Sequence, residues 1–258
     1  MNTTEPQFIR IGSDQRRIAV RHTSAAAGKP GLFWLSGFMS DMASTKATAI
    51  AEWAAANGFA ATRFDYSGHG LSSGAFTDGT IGRWLEEAIA VFKQATKGPQ
   101  IVIGSSMGGH IALMLLKTLL SESPADAARI KGLVLIAPAW DMTEELMWKR
   151  FPPEARREIM EHGAFQRPSA YAAPSTITRG LIEDGRNHLL ARTPFDPGRP
   201  VIIIQGRLDA DVPVEHVREL LTFLKGDHAR MIEIPDGEHR LSRPQDLVVL
   251  FDQLRSLA

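Results

Sequence analysis

The sequence contains no cysteine. That absence excludes disulfides, thiolate metal centres and a cysteine nucleophile together, so any nucleophile must be an oxygen or a nitrogen. Net charge is missing too: 29 lysines and arginines face 29 aspartates and glutamates, and no global field draws the chain to nucleic acid or an anionic membrane. No apolar run approaches the roughly 20 residues of a membrane span. The opening stretch "MNTTEPQFIRIGSD" has neither the apolar centre of a secretory leader nor the arginine-rich character of a transit peptide. Repeats, low-complexity tracts and long linkers are absent. The expectation is a soluble, cytoplasmic protein with no nucleic-acid partner and no stable membrane association, acting on a small or mostly neutral molecule. Its oligomeric state has no signature in the sequence.

What is present is a chain of 258 residues, 44% hydrophobic, enough for a sizeable core. "FIRIG" and "RRIAVRH" read as an antiparallel opening pair. Then short apolar strands alternate with helical segments: "GLFWLSG", "FAATRFDYSG", "PQIVIGSS" and "IKGLVLIAPAW" are separated by "TKATAIAEWAAANG", "IGRWLEEAIAVFKQATKG" and "GGHIALMLLKTLL". This alternation predicts right-handed crossovers in a mostly parallel sheet. It breaks over residues 141–192, which hold helical pieces and prolines but no convincing strand, and resumes with "RPVIIIQGRLD", "VPVEHVRELLTFLKG", "ARMIEIPDGEHRL" and "RPQDLVVLFDQLRSL". The predicted fold is α/β: about eight strands, helices on both faces, and a helical cap inserted after the sixth strand.

Two stretches match G-x-S-x-G, "GSSMG" centred on Ser106 and "GLSSG" centred on Ser72. With ordinary glycine usage such a match arises by chance in about one chain in ten of this length, so context must choose. A nucleophilic serine needs a sharp turn between a buried strand and a helix, which raises its Oγ above the sheet and aims helix-terminal N–H groups at a developing oxyanion. Ser106 has "IVIG" before it and "MGGHIALMLLKTLL" after it. Ser72 lies inside the polar, glycine-rich "YSGHGLSSGAFTDGT". Ser106 is therefore the candidate nucleophile and Ser72 the decoy, with Ser105 packed beside the turn.

A serine hydroxyl needs a base, and the base an orienting carboxylate. Of eight histidines, His239 alone sits in the loop after the last apolar strand, where it can reach across the top of the sheet. His228 precedes that strand. His69, His110, His162, His188 and His216 read as loop, helix-face or surface residues, and His69 is the least secure of these dismissals because its loop belongs at the same sheet edge. For the acid, Asp209 follows "VIII" just beyond a strand end. Asp211 reads as a turn or cap residue and Asp141, after the sixth strand, stays open as an alternative acid. Asp236 and Glu238 read as turn residues. Oxyanion donors are expected from the backbone N–H groups of Met107 and of Phe38 in "SGFMSD". Met142, Leu146, Met147, Trp148 and Phe151 are candidates for lining an acyl pocket, with packing inside the cap an equal alternative. No cofactor is expected: histidines and carboxylates lack convincing metal-ligand spacing, and "DYSGHGLSSG" is neither a phosphate loop nor a dinucleotide fingerprint.

Taken together, "GSSMGG", "QGRLDADVP", "DGEHR" and the order of strands resemble the α/β-hydrolase family along essentially the whole chain, as one domain over residues 1–258 with its cap at 141–192. "LSGFMSDMASTKATAIAEWAAANGFAATRFDYSGHGLSSG" and "GPQIVIGSSMGGH" are similar to the α/β-hydrolase-domain proteins of palmitoyl-protein thioesterase and acyl-glucuronide esterase type. The resemblance implies a serine hydrolase acting on esters or thioesters, with an acylated protein or a small molecule as substrate, Ser106 as nucleophile, Asp209 as acid and His239 as base. Ser36 and Gln205 depart from it, each standing where many relatives carry histidine.

Overall fold

Residues 5–25, 28–167, 174–190 and 193–258 are described by the computed structural model of the protein. Strands β1 (Gln7–Ile11) and β2 (Arg16–Thr23) form the antiparallel opening pair, and β2 runs antiparallel to β4 (Ala61–Phe64). The remaining strands of this sheet are parallel. β3 (Gly31–Leu35) lies between β4 and β5 (Gln100–Ser105), and β6 (Ile130–Ile136), β9 (Val201–Gly206) and β10 (Ala229–Ile234) continue outward. The order β1-β2-β4-β3-β5-β6-β9-β10 gives the eight strands and mostly parallel pairing read from the sequence.

Because side chains alternate across a strand, every central strand feeds two cores. Leu32 and Trp34 of β3, Ile101 and Ile103 of β5, and Val134 and Ile136 of β6 pack with helices α1 (Thr45–Ala56) and α8 (Pro244–Ser256). Phe33, Leu35, Val102, Leu133 and Leu135 face the other way, onto α2 (Ile81–Ala95) and α3 (Met107–Glu122). In α3, the ten residues 107–116 are all buried. A helix apolar on every side needs cover on every side, and α2, the sheet and the cap supply it. The short α4 (Pro124–Ala127) leads into β6, and α7 (Val214–Phe223) joins β9 to β10.

The cap departs from expectation. Besides a π-turn at Thr143–Met147, α5 (Pro153–His162) and α6 (Arg179–Gly185), it contains a two-stranded antiparallel ribbon, β7 (Ala164–Arg167) with β8 (Ser175–Thr178). The cap is thus mixed rather than helical. Gly163, at φ 86°, closes α5 and turns the chain directly into β7. Residues 168–173 and 191–192 of the predicted insert lie outside the described residues. The cap's base is pinned at two places: Asp141 Oδ1 accepts the N–H of Leu190 at 2.7 Å, and Asp184 Oδ2 accepts that of Gly82, at the start of α2, at 2.7 Å.

Candidate active site

Ser106 sits between β5 and α3 with φ 55° and ψ −118°, a conformation costly for an L residue and held only where neighbours impose it. The neighbours are specific. Its N–H donates to Ile136 O (2.8 Å), and its carbonyl accepts the N–H groups of Gly109 (2.8 Å) and Ala139 (3.1 Å). A Cβ on Gly104 would lie 2.2 Å from Gly108 O, and one on Gly108 would lie 2.1 Å from Leu35 O. Both glycines of the motif are therefore required by close backbone approach. Ser105 is buried beside the turn.

Two further loops converge on this serine. His239, after β10, places Nε2 3.1 Å from Ser106 Oγ and Nδ1 2.8 Å from Asp209 Oδ2. Asp209, after β9, has a fully buried carboxylate whose other oxygen accepts the N–H groups of Asp211 (2.9 Å) and Val212 (2.8 Å). A carboxylate with that many donors is fixed in direction. The partners assign the proton of His239 to Nδ1, leaving the Nε2 lone pair facing the serine hydroxyl.

The alternatives are placed elsewhere. Asp141, at φ 47°, directs its carboxylate to Leu190 and its N–H to Nδ1 of the buried His110 (3.2 Å). Desolvation lowers the pKa of His110 to about 3, so it stays neutral. His216 lies flat on Trp140, with centroids 4.2 Å apart, and burial lowers its pKa to about 4. His228 faces Asp196 at 3.4 Å, and His188 faces Asp184 at 3.7 Å. Asp236 pairs with Arg243 at 2.8 Å. The decoy Ser72 is fully engaged: its hydroxyl donates to Asp65 O (2.6 Å) and accepts the N–H of Ala19 (2.9 Å).

Phe38 follows Gly37, where a Cβ would lie 3.2 Å from Ser105 O and 3.4 Å from Ser106 Cβ; this loop rests against the serine turn. Met107 is the first residue of α3, so its N–H belongs to the helix-terminal donors that have no acceptor within the helix. Of the proposed pocket residues, Met142, Leu146, Met147 and Phe151 are buried in the main core, and Trp148 lies between the guanidinium groups of Arg186 (4.9 Å) and Arg156 (5.6 Å). The packing favours the cap-interior alternative for these five. Among the described residues, the one grouping of metal-type ligands is Asp209, Asp211 and His239, which is the acid–base pair itself plus a turn residue.

Two contributors had no role at the site in the sequence reading. Gln205, fully buried at the end of β9, extends Nε2 to Asp209 Oδ2 (3.3 Å) and Val212 O (2.9 Å). A buried polar residue in "VIIIQG" was the available signal. Lys46, in the first turn of α1, donates to the carbonyl of Arg240 and to Ser242 Oγ (3.4 Å), tying down the loop that carries His239. Burial lowers its pKa to about 8, assisted by Arg240 and opposed by Asp246 and Asp209.

A parallel-sheet core with a serine at the strand-to-helix turn, a carboxylate after β9 and a histidine after β10 defines an α/β hydrolase. The chain belongs to the family described as serine aminopeptidase, S33, which it matches over residues 32–181. It is similar to the mitochondrial palmitoyl-protein thioesterase ABHD10 of Homo sapiens, 28% identical over 223 residues that cover 86% of this chain and 70% of that one. Among solved structures, a putative hydrolase from Agrobacterium vitis S4 is 43% identical with a TM-score of 0.94, and mouse alpha/beta hydrolase domain-containing protein 10 is 26% identical with a TM-score of 0.85. Each pairing covers 98% of both chains. The protein is accordingly an enzyme of the hydrolase class.

Proposed function

We propose that the protein is a serine hydrolase that cleaves carboxylic esters or thioesters through an acyl-enzyme, with an acyl-protein thioesterase-like specificity. The observation that carries this reading is the continuous relay from Ser106 Oγ through His239 to Asp209, at 3.1 and 2.8 Å. As Oγ bonds to the substrate carbonyl carbon, His239 Nε2 takes its proton, and Asp209 stabilises the resulting imidazolium. The backbone N–H groups of Met107 and Phe38 receive the negative charge that develops on the carbonyl oxygen. The carbon–sulfur or carbon–oxygen bond then breaks, and His239 returns the proton to the departing thiolate or alkoxide. Water repeats the sequence on the acyl-enzyme, releasing the acid and restoring Ser106.

The thioester preference is supported by the likeness to ABHD10. It is tested by fluorophosphonate labelling of wild type beside Ser106→Ala and Ser72→Ala, followed by a panel of thioesters and oxygen esters of graded acyl length. Labelling lost only in Ser106→Ala, with turnover of long-chain thioesters, is the expected result. Turnover confined to short oxygen esters would replace the thioesterase reading with a small-molecule carboxylesterase. Labelling indifferent to Ser106→Ala would leave a ligand-binding protein on a hydrolase fold.

A further inference from the structure

The glycine-rich loop after β4, which the relay does not use, lies against the loop that carries Phe38. Its central residue, His69, is buried. The ring nitrogen Nδ1 is 3.1 Å from the carbonyl of Ser67, an acceptor only, so Nδ1 carries the proton. Nε2 is then a lone-pair acceptor, and the N–H of Met39 points at it from 3.3 Å. Met39 is one of the few non-glycine residues with positive φ, 58°, and its side chain is exposed. A left-handed conformation costs such a residue about 1–2 kcal/mol, and packing of this side chain does little to hold it.

Three rings fix the imidazole edgewise: Phe76 at 5.2 Å, Trp84 at 5.3 Å and Tyr66 at 6.0 Å between centroids. Two of them also hold the Phe38 ring, Phe76 at 5.0 Å and Trp84 at 6.0 Å. A second fastening comes from the same glycine-rich loop. Asp65 Oδ1 accepts the N–H of Met42 (2.7 Å) while Oδ2 accepts that of Leu71 (2.8 Å). The Phe38 loop is thus tied on one side of its tip by His69 and further along by Asp65.

We infer that His69 is a positioning residue for the oxyanion site: by accepting the Met39 N–H it locks the left-handed tip of the loop and so aims the preceding Phe38 N–H at the carbonyl oxygen attacked by Ser106. This deepens the serine-hydrolase reading and rests on it. Burial lowers the pKa of His69, against the opposing pull of the Ser67 carbonyl and Asp41, which keeps the ring an acceptor in neutral solution. A protonated ring would set N–H against N–H.

The discriminating variant is His69→Phe, which keeps an aromatic ring in the cage and removes the acceptor. Losing an oxyanion donor outright lowers kcat by roughly a hundred- to a thousandfold; a donor that is only misaimed loses part of that. The expected result is a fall in kcat of roughly ten- to a hundredfold, with KM changed less than about twofold because ground-state binding is untouched. Affinity for a trifluoromethyl ketone, which mimics the tetrahedral adduct, should fall in parallel with kcat/KM. His69→Gln, whose amide oxygen restores an acceptor, should recover part of the loss. Hydrogen exchange at the Met39 amide should quicken in His69→Phe.

An unchanged kcat and ketone affinity in folded His69→Phe, or a rise in KM alone, would overturn the inference while leaving the Ser106 chemistry intact. If wild type shows no turnover that depends on Ser106, the catalytic reading falls instead and takes the oxyanion role of His69 with it. The Met39 exchange measurement then still decides whether the hydrogen bond orders the loop.

Discussion

Gly206 and Gly237 cross so closely that a Cβ on Gly206 would lie 2.3 Å from the carbonyl oxygen of Gly237. The contact joins the end of β9 to the loop after β10, and two backbone hydrogen bonds reinforce it, Arg207 N to Ile234 O (3.0 Å) and Leu208 N to Gly237 O (2.9 Å). Asp209 and His239 are carried two or three residues beyond this crossing, so it sets their 2.8 Å contact. Substituting Gly206→Ala should therefore do more than crowd the core. Overpacking alone costs about 1–3 kcal/mol, and displacement of a catalytic group by about 1 Å can cost a hundredfold in rate. The expected outcome is a lower urea midpoint together with a fall in kcat of about two orders of magnitude, both measured on the same folded sample. A variant with a lowered midpoint and normal kcat would show that the crossing is not what registers acid and base.

Ser72 separates the two serine motifs by a different property. Its hydroxyl holds Asp65 O and Ala19 N–H, linking the glycine-rich loop to β2. Ser72→Ala leaves both backbone groups without that partner, at a cost of about 1–3 kcal/mol. Denaturant unfolding should register this loss, while fluorophosphonate labelling of Ser106 in the folded protein stays at the wild-type level. The same five-letter pattern thus predicts a stability phenotype at one serine and a chemical phenotype at the other.

That contrast shows what was legible beforehand. His239 was read from its place after the last strand, β10, which Arg230 and Glu233 interrupt. Ser106 and Asp209 could be read because each follows a buried apolar strand, and a buried strand end fixes where the next residues emerge. The sheet was legible for the same reason, since "VIII", "IVIG" and "LVLI" admit little else. The β7–β8 ribbon was not: "AFQR" and "STIT" are four residues each and only partly buried, too short and too polar for alternation to stand out. Asp141 was weighed as an acid because position after a strand says nothing about side-chain direction; its left-handed backbone and the Leu190 N–H decide that. Lys46 and His69 act through contacts remote in sequence, at Arg240, Ser242 and Met39, whereas Gln205 acts on its own loop and was marked only by its polarity at the end of an apolar strand.

Lys46 gives a prediction in alkaline solution. Its pKa falls from an ordinary 10.5 to about 8 on folding, so between these values the unfolded chain binds the proton more readily than the native one. Stability from this group therefore rises as pH climbs from about 8 to 10.5. The difference in unfolding free energy between wild type and Lys46→Met isolates it, because other titrating groups cancel. That difference should shift towards wild type across the window. A constant difference would mean that Lys46 titrates normally and that its bonds to Arg240 and Ser242 do not bury it.

Acid should act in the opposite sense through His110. Its folded pKa of about 3 lies below the unfolded 6.5, so the stability it contributes is complete above 6.5 and is lost progressively as pH falls towards 3. Each unit in that interval is worth about 1.4 kcal/mol, and His216, with a folded value of about 4, adds to the slope over the upper part of the range. Replacing His110→Asn removes one titrating group while leaving a side-chain acceptor for the Asp141 N–H. The variant is expected to be less stable than wild type at pH 7.5, because the Asn side chain fills less of the buried site. It should lose less stability than wild type between pH 6.5 and 4.5, as read from urea midpoints at each pH. Because His110 lies one helical turn beyond Ser106 and contacts the first residue of the cap insert, the same acid transition should loosen the cap before the sheet. Hydrogen exchange at the Leu190 amide, measured at pH 4.5, should quicken ahead of exchange in β5. Simultaneous loss of protection at both places would show that protonation of His110 unfolds the whole domain at once.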